Sequence, residues 1–262
     1  MHIDELLNYA EPGREIVVPS QWSQGRTCYG GVSAALLYRA MQSRLTGQRV
    51  MRSLNCNFIG PLLADQPFHI EVEALRQGKS ASQMLARAIQ NEQTAVLMQV
   101  CFGVSRDSKV QVKNTDRHGM TIPTKPKFIP QIPKVTPKFI RHFDLAIESG
   151  GLPFTGSSTA NVDGWMRYSK PPQQFSDAHL VGLIDAWPPT VLQMLKWPAP
   201  ASTMCWNVEF LHPHPAFSPT GWFAYQARTR QAADGYAHTE ANIWDENNNL
   251  VAISRQAVAV FD

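Results

Sequence analysis

Two stretches of the chain carry the same signature, a strand-like run that ends in Phe-x-x-Pro: Phe58-Ile59-Gly60-Pro61 and Phe210-Leu211-His212-Pro213. An apolar helical stretch precedes each one and alternating strands follow it. Each half closes on a run holding one glutamine, Gln99 in Val96–Val100 and Gln256 in Ile253–Val258. A repeat of this size constrains the fold to two copies of one unit, because each copy must bury the same faces in the same order. The copies differ on the helix. The second carries an acid, Asp185, where the first aligns Leu36 or Leu37. The pattern predicts a two-lobed scaffold with a site specialised in one lobe, Gln99 and Gln256 being counterparts.

The 262 residues are enough for two ordinary units with real cores. An apolar share of 44% with 17% charge is that of a soluble globular protein. No run approaches the roughly 18–20 apolar residues that a spanning helix needs, so no membrane partner is expected. The start, Met1-His2-Ile3-Asp4-Glu5, has neither the basic nor the apolar region of a signal peptide, which predicts a cytoplasmic location. A net charge of +3 gives no sign of a nucleic-acid partner. Cys28, Cys56, Cys101 and Cys205 show neither CxxC spacing nor clustered histidines, so neither a metal nor a cofactor is expected.

In the first half, Val32, Ala35, Leu36 and Ala40 recur at helical period after Gly30-Gly31. Strands are predicted over 68–74, 82–90 and 95–102, with a polar turn at Asn91-Glu92-Gln93. From Ser105 to about Phe143 the chain is polar and basic, with Pro123, Pro126, Pro130, Pro133 and Pro137 spaced along it. Proline at that spacing forbids helix interiors and central strands, so residues 105–155 are expected to connect an N-terminal lobe (1–104) to a C-terminal one (156–262). Lys125, Lys127, Lys134 and Lys138 there read as a solvated linker before they read as a phosphate site. In the second half a strand at 162–168 precedes a helix capped by Ser176 or Asp177, which must kink or end at Pro188-Pro189. Four strands follow. A helix and then consecutive antiparallel strands, twice over, predicts the α+β class and a double hotdog: two antiparallel sheets, each wrapped around a central helix.

Asp185 stands in Leu183-Ile184-Asp185-Ala186-Trp187 on a helix that should face the sheet. It is either a carboxylate serving a cleft or the cap of a helix beginning at the proline pair. Gln256, among Ala252, Ala257 and Val258, needs hydrogen-bond partners if it is buried. An acid, a hydroxyl such as Thr203 and an amide together could hold one water, the acid taking its proton. Competing signals are weak: there is no Gly-x-Ser-x-Gly elbow, no phosphate loop and no HExxH. His212 and His214, flanking prolines, read as surface residues, and His238 as a strand residue.

These motifs together resemble the acyl-CoA thioesterase II family of double-hotdog proteins. Tyr29-Gly30-Gly31 resembles the family's Phe-Gly-Gly segment, and Phe58-x-x-Pro61, Leu75–Ser80 and Ala88–Asn91 resemble its strands. Asp185, Thr203 and Gln256 fall at the positions of its Asp-Thr-Gln site. The resemblance implies hydrolysis of an acyl-CoA substrate by a water that Asp185 activates and Thr203 and Gln256 orient. Backbone N–H groups at Gly30-Gly31, or near the helix break at Asp185, would serve as the oxyanion site. Where the family often has a histidine, this chain has Arg52. The alternatives are an acyl-CoA or fatty-acid binding module without catalysis, and an enoyl-thioester hydratase. A homodimer is expected, with a tetramer as the other option.

Overall fold

A computed structural model describes residues 1–124, 129, 132 and 135–262. Lys125, Pro126, Lys127, Pro130, Pro133 and Lys134, part of the expected connector, lie outside the described residues. The chain opens with α1 (Ile3–Tyr9), β1 (Glu15–Val17), the small hairpin β2 (Ser23–Gln24) and β3 (Thr27–Cys28), and α2 (Gly30–Gln42). Then come β4 (Val50–Phe58), β5 (Pro67–Gln77), β6 (Ala81–Gln90) and β7 (Gln93–Gly103). The second half comprises β8 (Phe143–Ser149), β9 (Asn161–Tyr168), α3 (Asp177–Ile184), β10 (Ala201–Phe210), β11 (Phe223–Ala233), β12 (Tyr236–Trp244) and β13 (Leu250–Val260).

The two half-sheets are joined edge to edge into one eleven-stranded antiparallel sheet, ordered β1-β5-β6-β7-β4-β10-β13-β12-β11-β9-β8. The seam between β4 and β10 exposes the internal symmetry. Asn55 faces Asn207, and the pairs on either side of them mirror each other, Leu54 with Val208 and Cys56 with Trp206. Phe58 and Phe210 each lie three residues beyond that centre, so the Phe-x-x-Pro repeat is a true structural equivalence. The sheet curls around α2 and α3, which pack on each other and are almost wholly buried. Small residues permit this approach: a Cβ at Gly182 would stand 3.6 Å from that of Ala35.

Local rules account for several boundaries. Asn91 and Glu92 both have positive φ, 51° and 61°, giving the two-residue turn that suits a right-twisted hairpin. Ser176 caps α3 in a reciprocal box with His179, whose other ring nitrogen meets Asp4 at 2.8 Å and so ties α1 to α3.

The expected connector differs from the structure in two places. Phe143–Ser149, inside 105–155, is β8 and pairs with β9, and Phe143, Leu145 and Ala146 are buried, Phe143 against Tyr168 and against Trp22 and Tyr29 of the N-terminal half. Upstream, His118 sits edge-on to Trp165 and Trp244, 5.3 Å from each ring, and Met120 packs on the same cluster. The connector thus covers part of the outer sheet face. Lys138, itself exposed, opens a 3₁₀ turn just before β8 whose Phe139 and Ile140 are buried. Among the described residues, no helix is long and apolar enough to cross a membrane.

Candidate active site

α3 stops at Ile184 as the proline pair requires, and Asp185 is its C-cap, with φ −83° and ψ 3°. The next turn, a 3₁₀ turn at Thr190–Met194, is capped by Pro189, so Asp185 does not start a helix. Its carboxyl instead turns toward the first turn of α2. A Cβ placed on Gly30 would come 2.8 Å from Asp185 Oδ2 and 3.0 Å from the Phe58 ring, so glycine is required for this approach. The Gly31 amide donates to the carboxylate. The Gln256 side chain donates from Nε2 to Asp185 Oδ1 at 2.8 Å. Thr203 donates to Gln256 Oε1 at 3.4 Å.

The structure therefore brings together all five residues singled out from the sequence: Asp185, Thr203, Gln256, Gly30 and Gly31. Asp185, Thr203 and Gln256 each keep partial exposure. The carboxyl is nonetheless enclosed enough that desolvation pushes its pKa up from 3.8 to about 7, against the opposing effect of the Gln256 and Gly31 hydrogen bonds. The neighbours are neutral. Burial first, and the Asp185 charge second, hold the Tyr29 and Tyr225 phenols and the Cys56 thiol above their ordinary ranges. A carboxyl poised near neutrality beside an amide and a hydroxyl can accept a proton from a bound water.

The pairing of Gln99 with Gln256 needs correction. Asn55 faces Gln99 and Asn207 faces Arg255, whereas Leu54 faces Val100 and its equivalent Trp206 faces Gln256. The counterpart of Gln256 is Val100, buried in the core, and Gln99 points outward to Gln83. A shift of one residue along a strand reverses the face. By the same register Thr203 corresponds to Met51, each flanking a bulge. On the helices, Asp185 lies as far from the start of α3 as Tyr38 does from the start of α2, and Tyr38, not Leu36 or Leu37, is its equivalent. Tyr38 donates to Asp177, the equivalent of Gly30, at 3.4 Å. The N-terminal lobe thus has Tyr38, Met51 and Val100 in place of the acid, hydroxyl and amide. Gln256→Ala should lower any activity of this site at least tenfold, by releasing the carboxylate and Thr203, while Gln99→Ala should match wild type in a turnover assay.

Other candidates lie elsewhere. Arg52 reaches Val104 and Ser105 at 3.5 Å, beyond the far end of the seam from Asp185. His212 and His214, expected at the surface, lie with ring centres 4.4 Å apart and planes tilted by 33° beside Asp177, and their Nε2 atoms are buried. His214 in turn stacks on Phe217, with ring centres 4.4 Å apart. His238 is exposed on β12. The chemical surroundings of Asp185 that its motif did not reveal are Tyr29, Cys56 and Tyr225, which look like ordinary core residues in the sequence.

An eleven-stranded sheet wrapped around two central helices, with pseudo-twofold symmetry, defines the double hotdog. Residues 18–103 match the acyl-CoA thioesterase N-terminal domain and residues 121–260 the acyl-CoA thioesterase C-terminal domain. The chain belongs to the acyl-CoA thioesterase family. Its fold is shared by a hot-dog protein of unknown function from Alicyclobacillus acidocaldarius, at 23% identity and TM-score 0.85, covering 100% of this chain and 99% of that one. It is shared too by an acyl-CoA thioesterase II, TesB2, from Mycobacterium marinum, at 18% identity and TM-score 0.74, covering 100% and 98%. The comparison with curated proteins produced no significant match.

Proposed function

We infer that the chain hydrolyses acyl-CoA thioesters to a carboxylic acid and CoA, without a covalent intermediate. The observation that carries this reading is the Asp185 carboxyl, held by the Gln256 amide with a pKa raised to about 7. In this mechanism Asp185 takes a proton from a water that Gln256 and Thr203 orient. The water oxygen bonds to the thioester carbon, the C–S bond breaks, and the proton passes to the departing sulfur. Gly31 already donates to Asp185, so of the two glycine amides Gly30 is the one assigned to the developing oxyanion, at the N-terminus of α2 where the helix dipole favours negative charge.

Release of free thiol from a panel of acyl-CoAs tests the reading. Turnover should rise with pH to half its maximum near 7, as the base ionises. Thermal stabilisation by acyl-CoA with no thiol released would instead identify a binding module. A change in the acyl chain with CoA still attached would identify a hydratase.

A further inference from the structure

At the opposite end of α3 from Asp185, a hydroxyl, an imidazole and a carboxylate stand in a row. His179 Nε2 meets Asp4 Oδ1 at 2.8 Å, and His179 Nδ1 lies 2.8 Å from Ser176 Oγ. The backbone N–H of Ser176 also donates to Nδ1, at 3.1 Å, so that nitrogen carries no proton. The ring proton therefore sits on Nε2 and is donated to Asp4. Ser176 Oγ accepts the His179 backbone amide, which completes the helix cap, and its own hydrogen is left to point at Nδ1. Nucleophile, neutral base and orienting acid thus follow one another at hydrogen-bond distance, the arrangement that activates a serine.

Exposure runs along this row in the sense that acyl transfer needs. His179 is buried and Asp4 half-buried, whereas Ser176 is exposed. The acid is fixed from its other side, where Oδ2 accepts the Gln173 amide at 2.9 Å. Desolvation holds the His179 pKa below 6.5 against the opposing Asp4 hydrogen bond, so the ring is a neutral base at pH 7. A helix cap needs only the hydroxyl and the amide it accepts. It does not call for a carboxylate from α1 behind the imidazole. The first amides of α3, at Asp177 and Ala178, adjoin the hydroxyl and have no partner within the helix.

We propose that Ser176, His179 and Asp4 form a second acyl-transfer site, which cleaves small carboxylic esters through an acyl-serine. It is independent of the thioester reading, and an exposed hydroxyl suits small activated esters. Ser176 Oγ bonds to the ester carbonyl carbon as its proton passes to His179 Nδ1. The ester C–O bond then breaks, and the alcohol leaves with that proton. Water next gives a proton to Nδ1 and bonds to the acyl carbon, and the carboxylic acid departs as Oγ takes the proton back. Asp4 orients the ring and balances its charge while it is protonated.

The experiment uses Asp185→Asn protein, to remove the first site, with p-nitrophenyl acetate and diisopropyl fluorophosphate as probes. The ester should give a burst of p-nitrophenol stoichiometric with the protein. The fluorophosphate should phosphorylate Ser176 with loss of fluoride, as located by peptide mass. Ser176→Asn keeps a capping side chain without a hydroxyl, so it should unfold at the same urea concentration as its parent yet lose burst and label. His179→Gln keeps the capping box without a base, and labelling should slow about 10²-fold or more. In the parent the labelling rate should reach half its maximum below pH 6.5. Of the charged neighbours of His179, Asp4 raises its pKa and His2 lowers it, so Asp4→Asn should move that midpoint lower still. Absence of label and burst from the parent would reduce Ser176 to a cap and overturn the proposal. A burst that survives in Ser176→Asn would overturn it equally.

Discussion

Replacing Asp185 with asparagine should lower CoA release by about 10²–10⁴-fold, the usual contribution of a positioned general base. The same substitution should stabilise the protein at neutral and alkaline pH, and the two effects together are more telling than either alone. The carboxyl's pKa is raised from 3.8 to about 7 by desolvation. Between these values the unfolded chain has lost the proton and the folded one still holds it. Wild type therefore loses stability as pH rises through that window and loses no more above it, at about 1.4 kcal/mol per pKa unit before partial exposure is discounted. Asparagine removes the effect. Its advantage in denaturant midpoint should be absent below about pH 4, grow through pH 7 and then level at ~1–3 kcal/mol. Equal stability of the two proteins at about pH 8 would contradict the raised pKa, and undiminished turnover would remove Asp185 from the mechanism.

The parts of this molecule legible in its sequence are those set by short-range chemistry. Pro188 and Pro189 end α3 at Asp185, and Asn91-Glu92 turns the β6–β7 hairpin. Phe58-x-x-Pro61 and Phe210-x-x-Pro213 lie at equivalent places because each ends a strand of the same seam. What the sequence left hidden depends on register. Gln99 and Val100 are adjacent, yet one points outward and the other lies in the core, and the register of β4 on β7 and of β10 on β13 decides which of them matches Gln256. Tyr38 could not be matched to Asp185 until the starts of both helices were known. β8 was hidden by the proline-rich chain before it, although its burial comes from ordinary apolar residues. The raised pKa of Asp185 comes from burial where distant elements meet, and its charge in turn acts on Tyr29, Cys56 and Tyr225, which no local motif brings together.

The largest loss of stability should come from Gly31→Ala, which tests whether the meeting of the two helices positions the base. A methyl there would stand 2.5 Å from the Tyr29 hydroxyl and 2.8 Å from the Gly182 carbonyl oxygen, which are already hydrogen-bonded to each other at 2.8 Å. Neither can retreat cheaply. Gly182 O is backbone of α3, and the Tyr29 ring is buried and stacked on Phe139 with centres 4.0 Å apart. Overpacking of this kind costs about 1–3 kcal/mol, and a broken buried hydrogen bond adds about 1–3 more. Moving Gly31 also moves the amide that donates to Asp185, so activity should fall in whatever fraction remains folded. Gly30→Ala differs in kind, because its methyl would meet the Asp185 carboxylate and the Phe58 ring, both side chains. It should damage turnover more than stability. Gly60, with open space around a would-be Cβ, supplies the control: Gly60→Ala should unfold at the wild-type urea concentration. Gly31→Ala unfolding alongside that control would show that the α2–α3 contact gives way freely, and the base would then owe its position to Gln256 alone.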